Sequence, residues 1–258
     1  MIAEASGRGE EASMLLAGTA ATEHLQREHP MSERVRAASL QYWIRPVRIQ
    51  NTGPEHVEAI IALCEKVYPH SHPWDRDQLL SHQEHFPEGQ FVAITPEGDR
   101  VVGMQANLIV LWDDYDIDDT WRDFTDHGCF TNHDPEGHTL YGAEVMVDPD
   151  VQSRGVGSII YEARHVLVKR RGLKRVRAGA RLAGYADHMA EMDPKTYVDR
   201  VIRGELRDPT LSFQIKRGYR VLAVVEDYLK RDPASGGWAA VIEWVDPEAT
   251  DPERDPGT

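Results

Sequence analysis

Apolar positions along this chain switch repeatedly between a period of two and a period of about 3.6, the pattern of strands alternating with helices. A run from Trp43 to Ile49 predicts the first strand. Thr52-Gly-Pro-Glu55 has capping-box spacing with proline at the first helical position, and Val57, Ile60, Ile61, Cys64 and Val67 then share one helical face. A second helix is predicted from near Trp74 to just before Pro87-Glu-Gly89. Phe91 to Ile94 and Val101 to Trp112 read as strands joined by Pro96-Glu-Gly-Asp99, a hairpin signal. Leu140 to Val147 reads as a further strand ending in a turn at Pro149. No proline or glycine then follows Gly157 until Gly172, so a helix is expected from Ser158 to Arg171, burying Ile159, Ile160, Ala163, Val166 and Leu167. A strand near Val176 to Ala180, a helix-rich insertion, a helix around Thr210 to Lys216, and strands at Val221 to Val225 and Ala239 to Trp244 complete the alternation.

Two segments fall outside it. Residues 1–41 contain Gly7, Gly9, Gly18 and Pro30 and no clean amphipathic helix. They are expected to form a partly disordered extension or an interface arm, with Met31 as an alternative start. Met14, Leu15, Leu16 and Leu25 offer apolar contacts for such an arm. Residues 247–258, rich in proline and acids, are expected to be a flexible tail. The stretch between, residues 42–246, suits one sizeable domain.

The formal charge of −14 argues against nucleic acid and anionic membrane as partners and favours a cationic substrate such as an amine. Cys64 and Cys129 make no disulfide framework, and no secretory leader or long apolar span is seen, so a reduced, cytoplasmic setting is expected. Cys64 reads as a packed thiol on an apolar helix face. Residues 113–126 carry seven aspartates and a single Arg122, which reads as a solvated loop. Residues 161–181 carry eight Lys or Arg against Glu162 alone, either a solvated face or a basic surface for a phosphate. Histidines occur in close pairs (His70/His72, His82/His85) but without His-Glu-x-x-His or Cys-x-x-Cys spacing, so no metal site is expected.

The most informative stretch is Glu144-Val-Met-Val-Asp-Pro-Asp-Val-Gln-Ser-Arg-Gly-Val-Gly157. Two glycines let a backbone approach a ligand closely, and the helix that follows supplies unpaired N–H groups and a positive dipole end, a site for phosphate or pyrophosphate. A dinucleotide fingerprint would need a third glycine where Ile160 stands and an acid near Lys174, Arg175 or Arg177; a P-loop would need Gly-Lys-Ser/Thr. A plain strand-to-helix turn is the alternative. What fits is Val-x-Pro-x-x-Gln-x-x-Gly-x-Gly from Val147 to Gly157, which resembles the acetyl-CoA motif of the GNAT family of N-acetyltransferases.

Phe130-Thr-Asn-His-Asp-Pro135, Thr139-Leu-Tyr-Gly142, Gly179-Ala-Arg-Leu-Ala-Gly-Tyr185, the run Gly204 to Gln214, and Glu243-Trp244 extend the likeness. They resemble the acetyltransferase domain often fused ahead of a nitrilase-type carbon–nitrogen hydrolase. The resemblance implies an α/β GNAT fold with a mixed, mostly antiparallel sheet flanked by helices, splayed around the cofactor. It implies direct attack of a small-molecule or peptide amine on acetyl-CoA. The backbone of Val145, Met146 and Val147 would orient the acetyl group, and Gln152, Ser153, Arg154, Gly155, Val156, Gly157 and Ser158 would hold the pyrophosphate. A homodimer, and a separately encoded hydrolase docking on this domain, follow from the same likeness as expectations. The family's usual base and acid positions hold Tyr141 and Gln214 here, neither of which suits its role. The remaining candidates are Glu144, on the strand face opposite Tyr141 by simple alternation, and Tyr185. Displaced acid and base positions also leave room for a non-catalytic acyl-CoA-binding module.

Overall fold

The computed structural model describes residues 47–69, 74–98, 100–230 and 232–249. The expected extension at 1–41, the pair His70/His72 and the end of the tail lie outside these residues. Strands β1 (Arg48–Asn51), β2 (Phe91–Ile94), β3 (Val101–Val110), β4 (Thr139–Val147), β5 (Arg175–Arg181), β6 (Arg220–Val225) and β7 (Ala239–Val245) form one sheet in the order β1-β2-β3-β4-β5-β7-β6. Every neighbouring pair is antiparallel except β4 and β5, as expected of the fold.

Alternation along the strands divides the core. Tyr141, Ala143, Val92 and Met104 pack with helices α1 (Val57–Val67), α2 (Arg76–His85) and α3 (Trp121–Phe124). Leu140, Val176, Ala178 and Ala180 pack with α4 (Val156–Arg171), α5 (Pro194–Ile202) and α6 (Leu211–Ile215) on the other face. The motif helix α4 also plugs Val156 and Ile160 into a smaller cluster with Val47, Ala93 and Val102. Burial of such side chains, each stabilising by about 1.5–3 kcal/mol, fixes α4 against the sheet.

Several expectations are corrected. Among the described residues the first strand runs from Arg48 to Asn51, two residues past the expected end, and β3 ends at Val110, with Trp112 opening a 3-10 turn. The 3-10 turn Pro54–His56 that leads into α1 is capped by Gly53, not Thr52; His56 Nδ1 accepts the Gly53 N–H at 2.8 Å in place of a glutamate. Leu63 is buried on α1, whereas Ile61 and Val67 are half-buried. Helix α4 begins two residues early, and its buried face is Val156, Ile160, Tyr161, Arg164, Leu167 and Val168. Val166 is 49% exposed. Hydropathy misplaced that face because Arg164 and Tyr161, polar at their tips, find hydrogen-bond partners inside.

Half of the eight basic residues in this run form close ion pairs within the fold. Lys169 pairs with Glu248, Arg171 with Glu88, Arg177 with Glu243 and Arg181 with Asp232, at 2.7–2.9 Å. The aspartate-rich segment is a loop that runs into the short helix α3, and its acids cap local turns, Asp119 accepting from the Asp116 N–H and Asp123 from the Thr120 N–H.

Candidate functional site

The parallel contact between β4 and β5 is short. Thr139, Leu140 and Tyr141 pair with Arg175, Val176 and Arg177; beyond that point β4 runs on to Val147 while β5 stays with β7 as far as Arg181. The two strands therefore part, leaving the free edge of β4 facing a gap. The Asp148 N–H donates to the Val102 carbonyl at 2.9 Å, which sets the phase of the β3–β4 ladder. In that phase the N–H and C=O of Val145 and Val147 turn away from β3, toward the gap. Glu144 Oε1 accepts the Val145 N–H, and Gln152 Nε2 donates to the Val147 carbonyl at 3.2 Å. The Val145 carbonyl and the Val147 N–H remain directed outward.

After β4 the chain makes a 3-10 turn at Pro149–Val151, passes Ser153 at φ 62°, and enters α4 through Gly155 at φ 88°. That left-handed corner aims the start of the helix outward. None of the backbone N–H groups from Ser153 to Ser158 has a partner among the described residues; the first one satisfied is Ile159, bonded to the Gly155 carbonyl at 3.2 Å. Such a row of free amides at the positive end of a 16-residue helix suits an anion. A β-carbon on Gly157 would come within 3.3 Å of the Phe213 ring, so this glycine lets α6 close on α4. A β-carbon on Gly155 would meet open space, so the backbone angle is what selects glycine there. Gln152, Ser153 and Arg154 are exposed, Val156 and Met146 are buried, and Val145, Val147 and Ser158 are half-buried.

One charged side chain at this helix end had no local sequence signal. Arg217 donates to Ser158 Oγ and lies over the Phe213 ring with its guanidinium carbon 4.2 Å from the centroid. Its Nε is buried without a partner among the described residues. The cation arrives from the end of α6, 59 residues beyond Ser158.

On β4, the register passes from Ala106 opposite Glu144 to Asn107 opposite Gly142, so Ala143 is an extra, bulged residue. The bulge reverses the alternation after it. Tyr141 stacks on Phe124 at 4.7 Å, and Glu144 meets Tyr68 at the end of α1, so both side chains point to the same face of the sheet. This overturns the opposite-face expectation. Arg164, 1% exposed, fastens the bulge from beneath: Nε donates to Asn107 Oδ1 at 2.8 Å and Nη2 to the Glu144 carbonyl at 3.3 Å. A β-carbon at Gly142 would strike that guanidinium at 2.8 Å.

Glu144 is half-buried. Its Oε1 accepts from the Tyr68 hydroxyl at 3.0 Å and from the Val145 N–H at 2.9 Å. Burial raises its carboxyl above the usual glutamate range, opposed by those donors and by the Trp74 indole and Arg181. Tyr141, at the family's usual base position, is fully buried with its hydroxyl against that of Tyr228. Gln214 is buried, and its Nε2 donates to the Tyr161 hydroxyl at 2.9 Å. Tyr185 lies in a 3-10 turn after β5, packed 5.4 Å from Tyr197, with its hydroxyl donating to the Met192 carbonyl at 3.1 Å. It belongs to the cluster on the α4 face, so Glu144 and Tyr185 are not brought together. Among the described residues no group of three or more His, Cys, Asp or Glu side chains is placed to hold a metal ion. No described helix is long and apolar enough to cross a membrane.

A model of the acetyltransferase (GNAT) family matches residues 57–188. The chain is 33% identical over 200 residues to the uncharacterized N-acetyltransferase YkwB of Bacillus subtilis (strain 168), covering 76% of this chain and 87% of that one. It is also 39% identical over 214 residues to the probable hydrolase YhcX of the same organism, covering 83% of this chain but 41% of that relative. The chain thus spans less than half the length of YhcX. Among solved structures, the loading GNATL domain of CurA from Lyngbya majuscula superposes with a TM-score of 0.67 at 19% identity, covering 77% of this chain and 97% of that one. The GphF GNAT-like decarboxylase in complex with isobutyryl-CoA gives 0.64 at 22%, covering 77% and 98%. The fold with its parted β4 and β5 is that of a GNAT acyltransferase, and this chain belongs to the GNAT acetyltransferase family.

Proposed function

We propose that this protein is an acetyl-CoA-dependent N-acetyltransferase acting on a small-molecule or peptide amine by direct attack. One observation carries the reading: the gap between β4 and β5 has a helix end with unpaired amides on one face and a carboxylate on the other. Acetyl-CoA would supply the acyl group as an activated thioester. The amides of Ser153 to Ser158, with Arg217 beside them, fit its pyrophosphate, and the outward Val145 carbonyl and Val147 N–H fit an extended amide chain.

Glu144 is the proposed base. It accepts a proton from the amine as nitrogen bonds the acyl carbon and the carbon–sulfur bond breaks, with CoA leaving as its thiolate. A raised carboxyl suits proton abstraction near neutral pH better than an ordinary one. Tyr185, already bonded to Met192, fits a role as a wall residue. Burial pushes the Cys64 thiol up to about 11, so it stays protonated, which supports direct attack over a cysteine-bound acyl group. A non-catalytic binding module would have no need of a carboxylate at the gap. Thiol release from acetyl-CoA across polyamines, amino acids, aminoglycosides and peptide amines tests the reading. Turnover on one class establishes it; tight CoA binding with turnover on none replaces it with the binding module.

A further inference from the structure

Three elements converge on Glu144 from the side opposite the motif helix. Helix α1 ends at Tyr68, whose N–H still bonds the Cys64 carbonyl at 2.8 Å and whose φ of −125° leaves the helical range before Pro69. That departure swings the phenol toward β4, where its hydroxyl donates to Glu144 Oε1. From the end of β5, the Arg181 guanidinium lies 5.6 Å from the Tyr68 ring centroid. Asp232, in the β6–β7 connection, grips Arg181 with two hydrogen bonds of 2.7 Å, and is itself held by the Ser235 hydroxyl and N–H. The chain Glu144–Tyr68–Arg181–Asp232 therefore bridges β4 and β5 where they have parted.

We propose that Tyr68, locked by the Arg181–Asp232 pair, is the positioning residue for Glu144, holding Oε1 so that Oε2 faces the amine. The inference rests on Glu144 serving as base. Oε1 is met by two donors, the Tyr68 hydroxyl and the Val145 N–H, and the Trp74 indole stands against the same carboxylate. A carboxylate fixed at one oxygen presents the other in one orientation, which is what proton transfer over hydrogen-bond distance needs. The bidentate Arg181–Asp232 contact also cancels a positive charge that would otherwise face the incoming amine. The groups facing the Glu144 carboxyl are Tyr68 and Cys64 from α1, Trp74 ahead of α2 and Arg181 from β5; Arg164 of α4 reaches only its backbone oxygen.

Two variants shift the carboxyl in opposite directions. Tyr68→Phe removes a donor to the charged form, so the acidic limb of kcat/KM moves up by about one pH unit. Asp232→Asn frees the Arg181 charge to act on Glu144, so the limb moves down. In both, KM for acetyl-CoA is unchanged, because the anion site lies on the other face. The same carboxyl is followed without turnover by NMR titration of 13C-labelled glutamate, with Glu144→Gln assigning its resonance. Shifts of opposite sign in the two variants establish the relay. A Glu144 resonance that titrates in Tyr68→Phe as it does in the parent overturns it, as does a downward shift that fails to occur in Asp232→Asn. Opposed shifts in a protein that turns over no amine would uphold the relay and remove the transferase reading.

Discussion

The side-chain amide of Gln214 on α6 donates to the hydroxyl of Tyr161 on α4 at 2.9 Å, with both residues buried. The phenol reaches that amide from the neighbouring helix. Gln214 Oε1 has no partner among the described residues, so the pair is already one bond short.

Tyr161→Phe would leave both ends of the Gln214 amide unmatched. Stranding a buried polar group costs about 1–3 kcal/mol, so the urea midpoint should fall with an unchanged slope. A midpoint equal to that of the parent would mean that Gln214 finds another partner when the hydroxyl goes.

The two motif glycines should fail for different reasons. Gly155→Ala meets no neighbour but must hold an alanine at φ 88°, a strain of about 1–2 kcal/mol that relaxes by tilting the free amides. Acetyl-CoA affinity measured by calorimetry should fall at least about tenfold, with little change in Tm. Gly157→Leu instead drives Phe213 off α4, so affinity and Tm should fall together. Equal Tm losses in both variants would contradict this division.

Glu144→Gln separates catalysis from stability. The amide keeps an oxygen for Tyr68 and Val145 but cannot take a proton, so kcat should fall about 10²–10⁴-fold. The folded carboxyl binds its proton more tightly than the unfolded chain does. Stability is therefore lost as pH rises from the ordinary glutamate range through the raised value, and regained as pH falls. Above that window Glu144→Gln should melt higher than the parent, and below it the two should converge.

The corner that leads from β4 into α4 was legible in the sequence because its geometry is local: a proline turn, two glycines and an uninterrupted helix specify one corner of backbone. The order of strands and helices was legible for the same reason. The face on which Glu144 lies was not. It depends on a bulge at Ala143 that is set by the register against Asn107 and by Arg164, 20 residues beyond Glu144 in sequence. Arg217 and Tyr68 were missed because each reaches the site from an element remote in sequence. Only Pro69, which ends α1 and releases Tyr68, left a mark that a reader could have used. The pairing of the basic run was not legible because its acidic partners, Glu88, Asp232, Glu243 and Glu248, are scattered along the chain.

Acid should loosen the α2 side of the core through His82. This ring is 2% exposed, stacked 3.7 Å from Phe130 and edge-on to Trp74, and its Nε2–H donates to the Gly128 carbonyl at 2.7 Å. Burial lowers its pKa to about 4, against 6.5 for a free histidine. As pH falls from 6.5 the unfolded chain takes up a proton that the folded protein refuses, so stability declines until about pH 4 and then levels. The loss from this residue is on the order of 3 kcal/mol. His165, also held down to about 4 against Trp244, acts in the same direction, weakened by its partial exposure to solvent. His82→Gln keeps a donor for Gly128 but does not titrate there. Urea denaturation at a series of pH values should show a shallower loss between 6.5 and 4 for this variant, and parallel curves for variant and parent would place the acid sensitivity elsewhere.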